Sequence, residues 1–150
     1  MDEFTNALNN ILVEVYHNIL RFEELSLQKG NRINLSISEM HLIENVGKAQ
    51  ETGISISQLA KELNITRPSA TVAVNKLEKK GYLCKMDCQE DGRVVRVFLT
   101  YEGKKIDSYH KYYHKNMVKE ISEKFSSEEK SCLLRGIYVL NNYFRNSIGD

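Results

Sequence analysis

The sequence predicts a mainly α-helical fold with a small β-wing, the arrangement called a winged helix-turn-helix. Two observations carry this prediction. Residues 54–80 have the pattern of two short amphipathic helices separated by a tight polar break. Two β-prone runs follow, and the Asp91-Gly92 dipeptide between them is typical of a hairpin turn. Helix, turn, helix and hairpin in this order indicate a module of the kind that reads DNA.

Two helices precede this module. The second of them spans Ser38 to Gly47, and Gly30 lies in the break between the two. The first is long, and its apolar residues recur at helical spacing: Leu8, Ile11, Leu12, Val15, Ile19 and Phe22.

The first helix of the module begins at Ser55, because Ser55-Ile-Ser-Gln58 has the spacing of a capping box. The polar break Asn64-Ile-Thr66 follows, and we expect its one apolar residue, Ile65, to be a buried anchor. The apolar stripe of the helix consists of Ile56, Leu59, Ala60 and Leu63.

Thr66 is the expected N-cap of the second helix of the module, and Pro68 lies in its first turn, where a missing N–H costs little. Gly81 ends this helix, as glycine commonly does. The inner stripe is predicted to be Ala70, Ala73, Val74 and Leu77. The outer face carries Pro68, Val72, Asn75, Lys76 and Lys79, flanked by Thr71.

The outer face suits a DNA major groove, because its small side chains permit close approach of the helix to the bases. Its N-terminus favours phosphate, since backbone donors and the helix dipole attract an anion there. An ordinary amphipathic helix with a solvated face is the alternative. We expect Pro68, Ser69, Thr71, Val72, Asn75 and Lys76 to contact the major groove, with Thr66 at the helix N-terminus and Arg67 and Lys79 on phosphate.

The predicted hairpin pairs Tyr82 to Cys88 with Arg93 to Leu99 around the turn Gln89-Glu-Asp-Gly92. Arg93 lies at the tip, where it can enter a narrow, electronegative minor groove. Asp91 can orient the Arg93 guanidinium through a charge-assisted hydrogen bond. The alternative is an exposed Arg–Asp pair of little energetic value.

Two further helices are predicted after the hairpin, Tyr101 to Lys124 and a last one that opens at the capping box Ser126-x-x-Glu129. We interpret residues 1–150 as one domain. Its terminal helices, at about 1–30 and 101–148, form a homodimer interface, and its DNA-binding part lies at about 36–100. Half-sites about one helical turn apart, in a pseudo-palindrome of double-stranded DNA, are then expected. The alternative is that the terminal helices pack only within the monomer.

The distribution of charge favours DNA binding more than the net charge of +1 does. Residues 61–105 carry ten Lys or Arg against six Asp or Glu, a net charge of +4, whereas residues 1–60 carry four against eight, a net charge of −4. No apolar run approaches the roughly 20 residues that span a bilayer. The N-terminus also lacks the basic start of a signal peptide, so we expect a cytoplasmic protein without membrane contact.

Enzymatic function finds no support, because the sequence contains no glycine-rich phosphate loop and no nucleophile elbow. Cys84, Cys88 and Cys132 are an odd number without zinc-finger spacing, so reduced thiols are expected over a redox switch. Two alternatives come from other functional classes. One is a protein-interaction module that docks a partner through the winged helix, and the other is a metal buffer.

The wing and the start of the next helix carry a more specific pattern. Asp91-Gly-Arg93, five residues, and then Leu99-Thr100-x-x-Gly103 resemble the wing signature of the MarR regulators. The resemblance extends over nearly the whole chain. It implies an obligate homodimer that places the helix around Pro68 to Lys80 in the major groove and Arg93 in the minor groove.

Histidines point to one possible effector. His110 and His114 are four residues apart and share a helix face, and the MarR architecture brings them together with His41, Glu23 and Glu24. Imidazoles and a carboxylate could hold zinc tetrahedrally, and these positions resemble the metal site of zinc-responsive MarR repressors. Polar anchoring within the helical junction is the alternative. No cofactor is required, but zinc is a candidate effector.

Three segments resemble the MarR-type repressors of bacterial fatty-acid synthesis genes: Phe22-Glu-Glu-Leu25, Ile37-Ser-Glu-Met-His41 and His110-Lys-x-x-His114-Lys-x-Met-Val118. This resemblance implies sensing of long acyl chains, delivered on acyl carrier protein, as a corepressor. The apolar residues that could line a pocket for the acyl chain serve equally well as core. A phenolic ligand, or no ligand, is a further alternative. An acyl chain needs an apolar tunnel, whose candidate lining is Leu12, Val15, Ile19, Phe22, His41, Leu42, Val46, Tyr109 and His110.

Overall fold

The computed structural model describes residues 2–29, 34–87 and 95–149. It confirms a mainly helical fold with a small antiparallel sheet. In chain order the helices are α1 (Glu3–Lys29), α2 (Ile37–Lys48), α3 (Ile56–Glu62), α4 (Arg67–Lys79), α5 (Tyr101–Ser122) and α6 (Ser127–Ile148). The strands are β1 (Ile54–Ser55), β2 (Leu83–Asp87) and β3 (Val95–Leu99).

The chain forms two compact units, Met1–His110 and Lys111–Asp150. The first unit contains α1 to α4, the three strands and the beginning of α5. The second contains the rest of α5 and α6. Of the helices in the described part of the chain, none combines the length and apolar character that a membrane span requires.

Capping boxes fix the start of three helices. Ser55 with Gln58 begins α3, and Ser126 with Glu129 begins α6, as predicted. A further box at Ser36 begins α2, where the Ser36 hydroxyl accepts the Glu39 N–H at 3.2 Å and Glu39 accepts the Ser36 N–H at 2.8 Å. The sequence prediction lacks this third box, although Ser36-Ile-Ser-Glu39 has the same spacing.

The sheet has the strand order β1-β3-β2, and both pairings are antiparallel. Leu83 lies opposite Leu99 in the hairpin, and Ile54 lies opposite Val97 at the other edge of β3. The hairpin strands are confirmed, but the sequence prediction lacks β1. A strand of two residues is too short to show alternation of apolar and polar side chains.

The core of the first unit is built from α2, α3, α4 and the sheet, and Ile43, Leu59, Leu77 and Val97 are fully buried in it. The prediction of Ile65 as a buried anchor is wrong, because this residue is 39% exposed. Backbone bonds hold the turn instead. The Ile65 N–H donates to the Ala60 carbonyl at 2.9 Å, and Asn64 adopts a left-handed φ of 52°.

Candidate nucleic-acid interface

The outer face of α4 is the candidate nucleic-acid interface, and burial of the opposite face determines its orientation. Of the predicted inner stripe, Ala70, Val74 and Leu77 are fully buried against the core, and Ala73 is half-buried. Val72, on the other side, is 68% exposed. The remaining predicted outer residues are exposed too: Pro68, Asn75, Lys76 and Lys79. The predicted division of α4 into an inner and an outer face is therefore confirmed, while the DNA contacts themselves stay a prediction.

The N-terminus of α4 is capped as the sequence predicts. The Thr66 hydroxyl accepts the Ser69 N–H at 3.3 Å, and the two hydroxyl oxygens are 2.8 Å apart. Arg67, Pro68 and Ser69 are exposed at this end. Thr71 is half-buried, and its hydroxyl donates to the Arg67 carbonyl at 2.9 Å. This end of the helix thus presents a cation and hydroxyls beside backbone donors, a combination that suits phosphate.

Lys76, a predicted major-groove residue, forms an ion pair with a carboxylate of α2. Its ammonium lies 3.0 Å from Glu39 Oε1, and its side chain remains 62% exposed. Lys80 approaches the same carboxylate from the end of α4, with both oxygens at 2.9 Å. Lys80 also donates to the Asn34 carbonyl at 2.6 Å. The last turn of α4 is therefore attached to the N-terminus of α2 through charged groups.

The Glu39 carboxyl is ionised in this setting. Burial raises its pKa, but hydrogen bonds from the Ser36 N–H and from the Lys80 and Lys76 ammonium groups outweigh burial and lower the pKa from 4.5 to about 2. Only 9% of the Glu39 side chain is exposed, so the charge would be costly without these partners.

Asn75, the residue with the best base-reading chemistry on α4, has a partner on the wing. The Lys85 ammonium donates to Asn75 Oδ1 at 2.5 Å and to Glu78 Oε2 at 2.6 Å. Asn75 and Glu78 are three residues apart on α4, and Lys85 lies in the middle of β2. The wing therefore contacts the reading helix through a cation shared by two α4 side chains.

The tip of the wing lies outside the described residues. The undescribed part of the wing includes Cys88, the turn Gln89 to Gly92 with Asp91, and Arg93. Gly30, which precedes α2, also lies outside the described residues. The minor-groove role of Arg93 and the orienting role of Asp91 stay predictions. Cys84 and Cys132 are free thiols.

The Leu99-Thr100-x-x-Gly103 motif joins the wing to α5. The Thr100 hydroxyl donates to the Gly81 carbonyl at 2.6 Å and accepts the Gly103 N–H at 3.1 Å. The Thr100 N–H donates to the Tyr82 carbonyl at 3.0 Å. Gly103 is required by space, because a Cβ there would overlap the carbonyl oxygen of Tyr82. Gly81, at a φ of +82°, follows α4 as predicted.

The predicted effector-pocket residues differ in burial. Leu42 and Val46 on α2 are 2% and 1% exposed and belong to the core of the first unit, and His110 is also buried. Their role in binding a ligand stays a prediction. Leu12, Phe22 and His41 are half-buried, whereas Val15, Ile19 and Tyr109 are exposed.

Three of the predicted metal ligands are neighbours in the first unit. Glu23 Oε2 lies 3.7 Å from His41 Nε2, and the rings of His41 and His110 have centroids 6.4 Å apart. Glu24 is exposed, and His114 follows His110 by one turn of α5. Carboxylate and imidazole are donors that zinc accepts, so the residue types fit this metal, while ligation stays a prediction.

A cavity of about 250 Å³ lies between α2, the α3–α4 turn and α4. It includes His41 and Leu42 of the predicted effector pocket, and exposed Ile65 forms part of its wall. Glu39 lines it as well, so the cavity adjoins the carboxylate that holds Lys76 and Lys80. Its other lining residues are Ser38, Leu63 and Ala73.

Sequence reasoning missed three residues of this site: Glu39, Lys80 and Lys85. Glu39 and Lys80 are 41 residues apart, so no local spacing reveals their contact. For Lys85, the sequence does contain a signal that indicates the side of the sheet on which this residue lies. In β2 it follows buried Leu83 by two positions and therefore lies on the same face of the sheet.

Comparison with known proteins agrees with this geometry. Residues 35–95 match the model of the MarR family. YdgJ, an uncharacterized HTH-type transcriptional regulator of Bacillus subtilis (strain 168), is 30% identical over 112 residues, which cover 75% of this chain and 67% of that protein. YhjH, an uncharacterized regulator of the same type and organism, is 30% identical over 91 residues. Those residues cover 61% of this chain and 51% of YhjH, so the match spans about half the length of that relative.

Solved structures extend the likeness to nearly the whole chain. The crystal structure of Streptococcus pneumoniae FabT in complex with DNA superposes with a TM-score of 0.89 and 34% identity, covering 95% of this chain and 98% of FabT. The S. aureus MepR–DNA complex gives a TM-score of 0.70 and 18% identity, covering 90% of this chain and 96% of MepR. At 18% identity, the likeness to MepR shows the fold alone.

Proposed function

Because this chain belongs to the MarR family of DNA-binding transcriptional regulators, we propose that it represses fatty-acid synthesis genes in response to long acyl chains. The observation that carries the DNA-binding part is α4, whose inner stripe is buried and whose outer face is exposed. Pro68, Ser69, Thr71, Val72, Asn75 and Lys76 are the proposed major-groove residues, Arg67 and Lys79 contact phosphate, and Arg93 enters the minor groove. The protein then acts where the DNA is, in the cytoplasm.

The proposed DNA-binding form is a homodimer of this chain. Helix α6 has an exposed apolar stripe, in which Leu133, Ile137 and Phe144 are 39%, 50% and 49% exposed. Apolar side chains repeated at helical spacing favour burial against a second apolar surface. A two-fold dimer fixes the separation of two α4 helices and matches a pseudo-palindromic operator.

The proposed effector is a long acyl chain delivered on acyl carrier protein. Two observations support it: the resemblance of three helical segments to repressors of fatty-acid synthesis genes, and the 34% identity to FabT over 95% of this chain. The contacts of α2 connect the proposed effector pocket with α4, the proposed DNA-binding helix. His41 and Leu42 follow Glu39 on α2, and Glu39 binds Lys76 of α4 and Lys80, which caps the end of α4. A ligand that moves α2 therefore acts on α4.

Capture of genomic fragments on the purified full chain tests this proposal. We expect enrichment of a pseudo-palindrome beside fatty-acid synthesis genes, and tighter binding when acyl carrier protein bearing a long acyl chain is added. Acyl carrier protein without the acyl chain is the control and should leave the affinity unchanged. Enrichment beside unrelated genes, or equal binding with both carrier forms, would contradict the acyl-responsive repressor.

A second candidate effector, zinc, is supported by the proximity of Glu23, His41 and His110. If zinc regulates, it must change the affinity for DNA, and DNA must change the affinity for zinc by the same factor. Titration of the full chain with zinc, with and without operator DNA, measures both quantities. Replacement of His41 by Gln should then abolish the coupling. Tight zinc binding without coupling would indicate a metal buffer, and enrichment beside metal-transport genes would favour the zinc sensor.

A further inference from the structure

We propose that Lys85 determines which base Asn75 reads. Lys85 occupies one of the two lone pairs of the Asn75 amide oxygen and places an ammonium beside it, so that the amide hydrogens become the favoured groups for a base and each half-site selects guanine over adenine at the position facing Asn75. The inference deepens the DNA-binding function and rests on α4 as the reading helix. It does not depend on which effector the protein senses.

The contact identifies the orientation of the Asn75 amide. An ammonium group has three donors and no acceptor, so the Asn75 atom that lies 2.5 Å from Lys85 Nζ must be the amide oxygen. The amide nitrogen, with its two hydrogens, is then the Asn75 group that faces no competing cation. A second bond to Glu78 Oε2 at 2.6 Å restrains the Lys85 ammonium.

The fold explains why Lys85 reaches α4. Leu83 and Lys85 lie on one face of β2 because side chains alternate along a strand, and Leu83 is buried in the core. Lys85 pairs in register with fully buried Val97, and only 26% of its side chain is exposed. Its charge also compensates the Glu78 carboxylate, which otherwise would repel a nearby DNA backbone.

The hydrogen-bonding groups that each base exposes in the major groove convert this arrangement into a preference for one base. In the major groove adenine offers one acceptor, N7, and one donor, N6, so its usual partner is an Asn or Gln that supplies both an oxygen and an N–H. With Lys85 on the Asn75 oxygen, the ammonium competes with the adenine N6–H donor for that oxygen and repels that donor. Guanine offers two adjacent acceptors, N7 and O6, which the two Asn75 amide hydrogens can satisfy. Thymine offers one acceptor, and cytosine offers a donor that meets the same competition from Lys85 at the Asn75 oxygen.

Selection from a randomised duplex library tests the inference on the full-length chain without added effector. We expect the wild type to enrich guanine at one position of each half-site, and Asn75→Ala to lose that preference. Lys85→Met frees the amide oxygen and should shift the adenine-to-guanine ratio there by about fivefold or more, the scale of one bidentate contact. Lys85→Arg restores a donor and should keep guanine, and circular dichroism should report native helicity for each variant.

Lys79→Met is the matched control, because it also removes one positive charge from the interface. It should weaken binding to all sequences alike, lower the salt slope by about one and leave the base preference unchanged. An unchanged preference in Lys85→Met, or a guanine preference that survives Asn75→Ala, overturns the proposal while DNA binding stands. If the wild type enriches no sequence, the DNA-binding function itself is contradicted.

Discussion

Glu39 and Lys80 are 41 residues apart in the chain and are joined by two hydrogen bonds of 2.9 Å. One carboxylate thereby attaches the first turn of α2 to the end of the reading helix. The carboxylate also binds Lys76 on the outer face of α4. The position of α4 therefore depends on α2, the helix that carries His41 and Leu42 of the proposed effector pocket.

Replacement of Glu39 by Gln should lower the free energy of unfolding at pH 7 by about 1.5–3 kcal/mol, the range for hydrogen bonds to a charged group. The pKa of Glu39 is lowered from 4.5 to about 2, so its contribution to stability is complete above about pH 5 and is lost as the pH falls through 2. Urea unfolding at several pH values should show a smaller loss of stability between pH 5 and pH 2 in the variant than in the wild type.

Glu44→Gln provides the control for this measurement. Glu44 lies on the same helix, and its partner Lys48 is 3.7 Å away and 60% exposed. Such surface pairs contribute about 0–1 kcal/mol. Equal effects of the two substitutions would show that the Glu39 cluster contributes no more than an ordinary surface pair.

Replacement of Gly103 by Ala should destabilise the wing. The added Cβ would overlap the Tyr82 carbonyl oxygen, so either α5 or the segment that leads from Tyr82 into β2 must shift. Overpacking of this kind costs about 1–3 kcal/mol, which exceeds the gain of up to about 1 kcal/mol that alanine brings to a helix. Thermal unfolding measures the difference. Lys104→Ala, at the exposed neighbouring position, should leave the melting temperature nearly unchanged, and a Gly103→Ala protein as stable as the wild type would refute the packing argument.

Replacement of Arg93 by Ala should reduce operator affinity by about 1–3 kcal/mol and weaken base preference at the outer positions of the site. An arginine in a narrow minor groove reads groove shape, so its loss should matter most where the operator is rich in A·T pairs. Fluorescence anisotropy with operators altered at these positions measures both effects. Undiminished affinity would exclude a minor-groove role for Arg93.

Replacement of Ile137 by Lys should dissociate the proposed dimer. Ile137 lies within the apolar stripe of α6 and is 50% exposed in the single chain, and burial of an unpaired ammonium in an interface is costly. Sedimentation velocity should show a monomer, with loss of cooperative binding to the operator. Asn142→Lys places the same charge on the opposite side of α6 and should remain dimeric. Dimeric Ile137→Lys protein would exclude this stripe as the interface.

The fold was predictable where local chemistry determines it. Ser55 and Ser126 cap helices through spacings visible in the sequence, and the buried stripe of α4 follows from helical periodicity. Ile65 was predicted wrongly because an apolar residue in a short turn is usually an anchor, whereas backbone bonds and the left-handed Asn64 hold this turn.

The candidate site was predictable only in part. The exposed face of α4 followed from periodicity, but the partners of that face did not. Glu39 on α2 and Lys85 on β2 reach α4 only after the chain has folded back. The side chains that orient Lys76 and Asn75 therefore come from elements that periodicity treats as independent.

The Thr100 hydroxyl connects the end of α4 to the beginning of α5, since it bonds to both Gly81 and Gly103. The hairpin between these glycines is therefore fixed at its base. One residue inserted into β2 ahead of Lys85 would move Lys85 to the other face of the sheet and separate it from Asn75, and one inserted into β3 would move the β3 side chains beyond it to the other face. Among related proteins, we therefore expect changes in the length of this hairpin to fall outside its two strands. Changes in operator preference should then arise from residues at the wing tip, while the residues at the base of the wing stay the same.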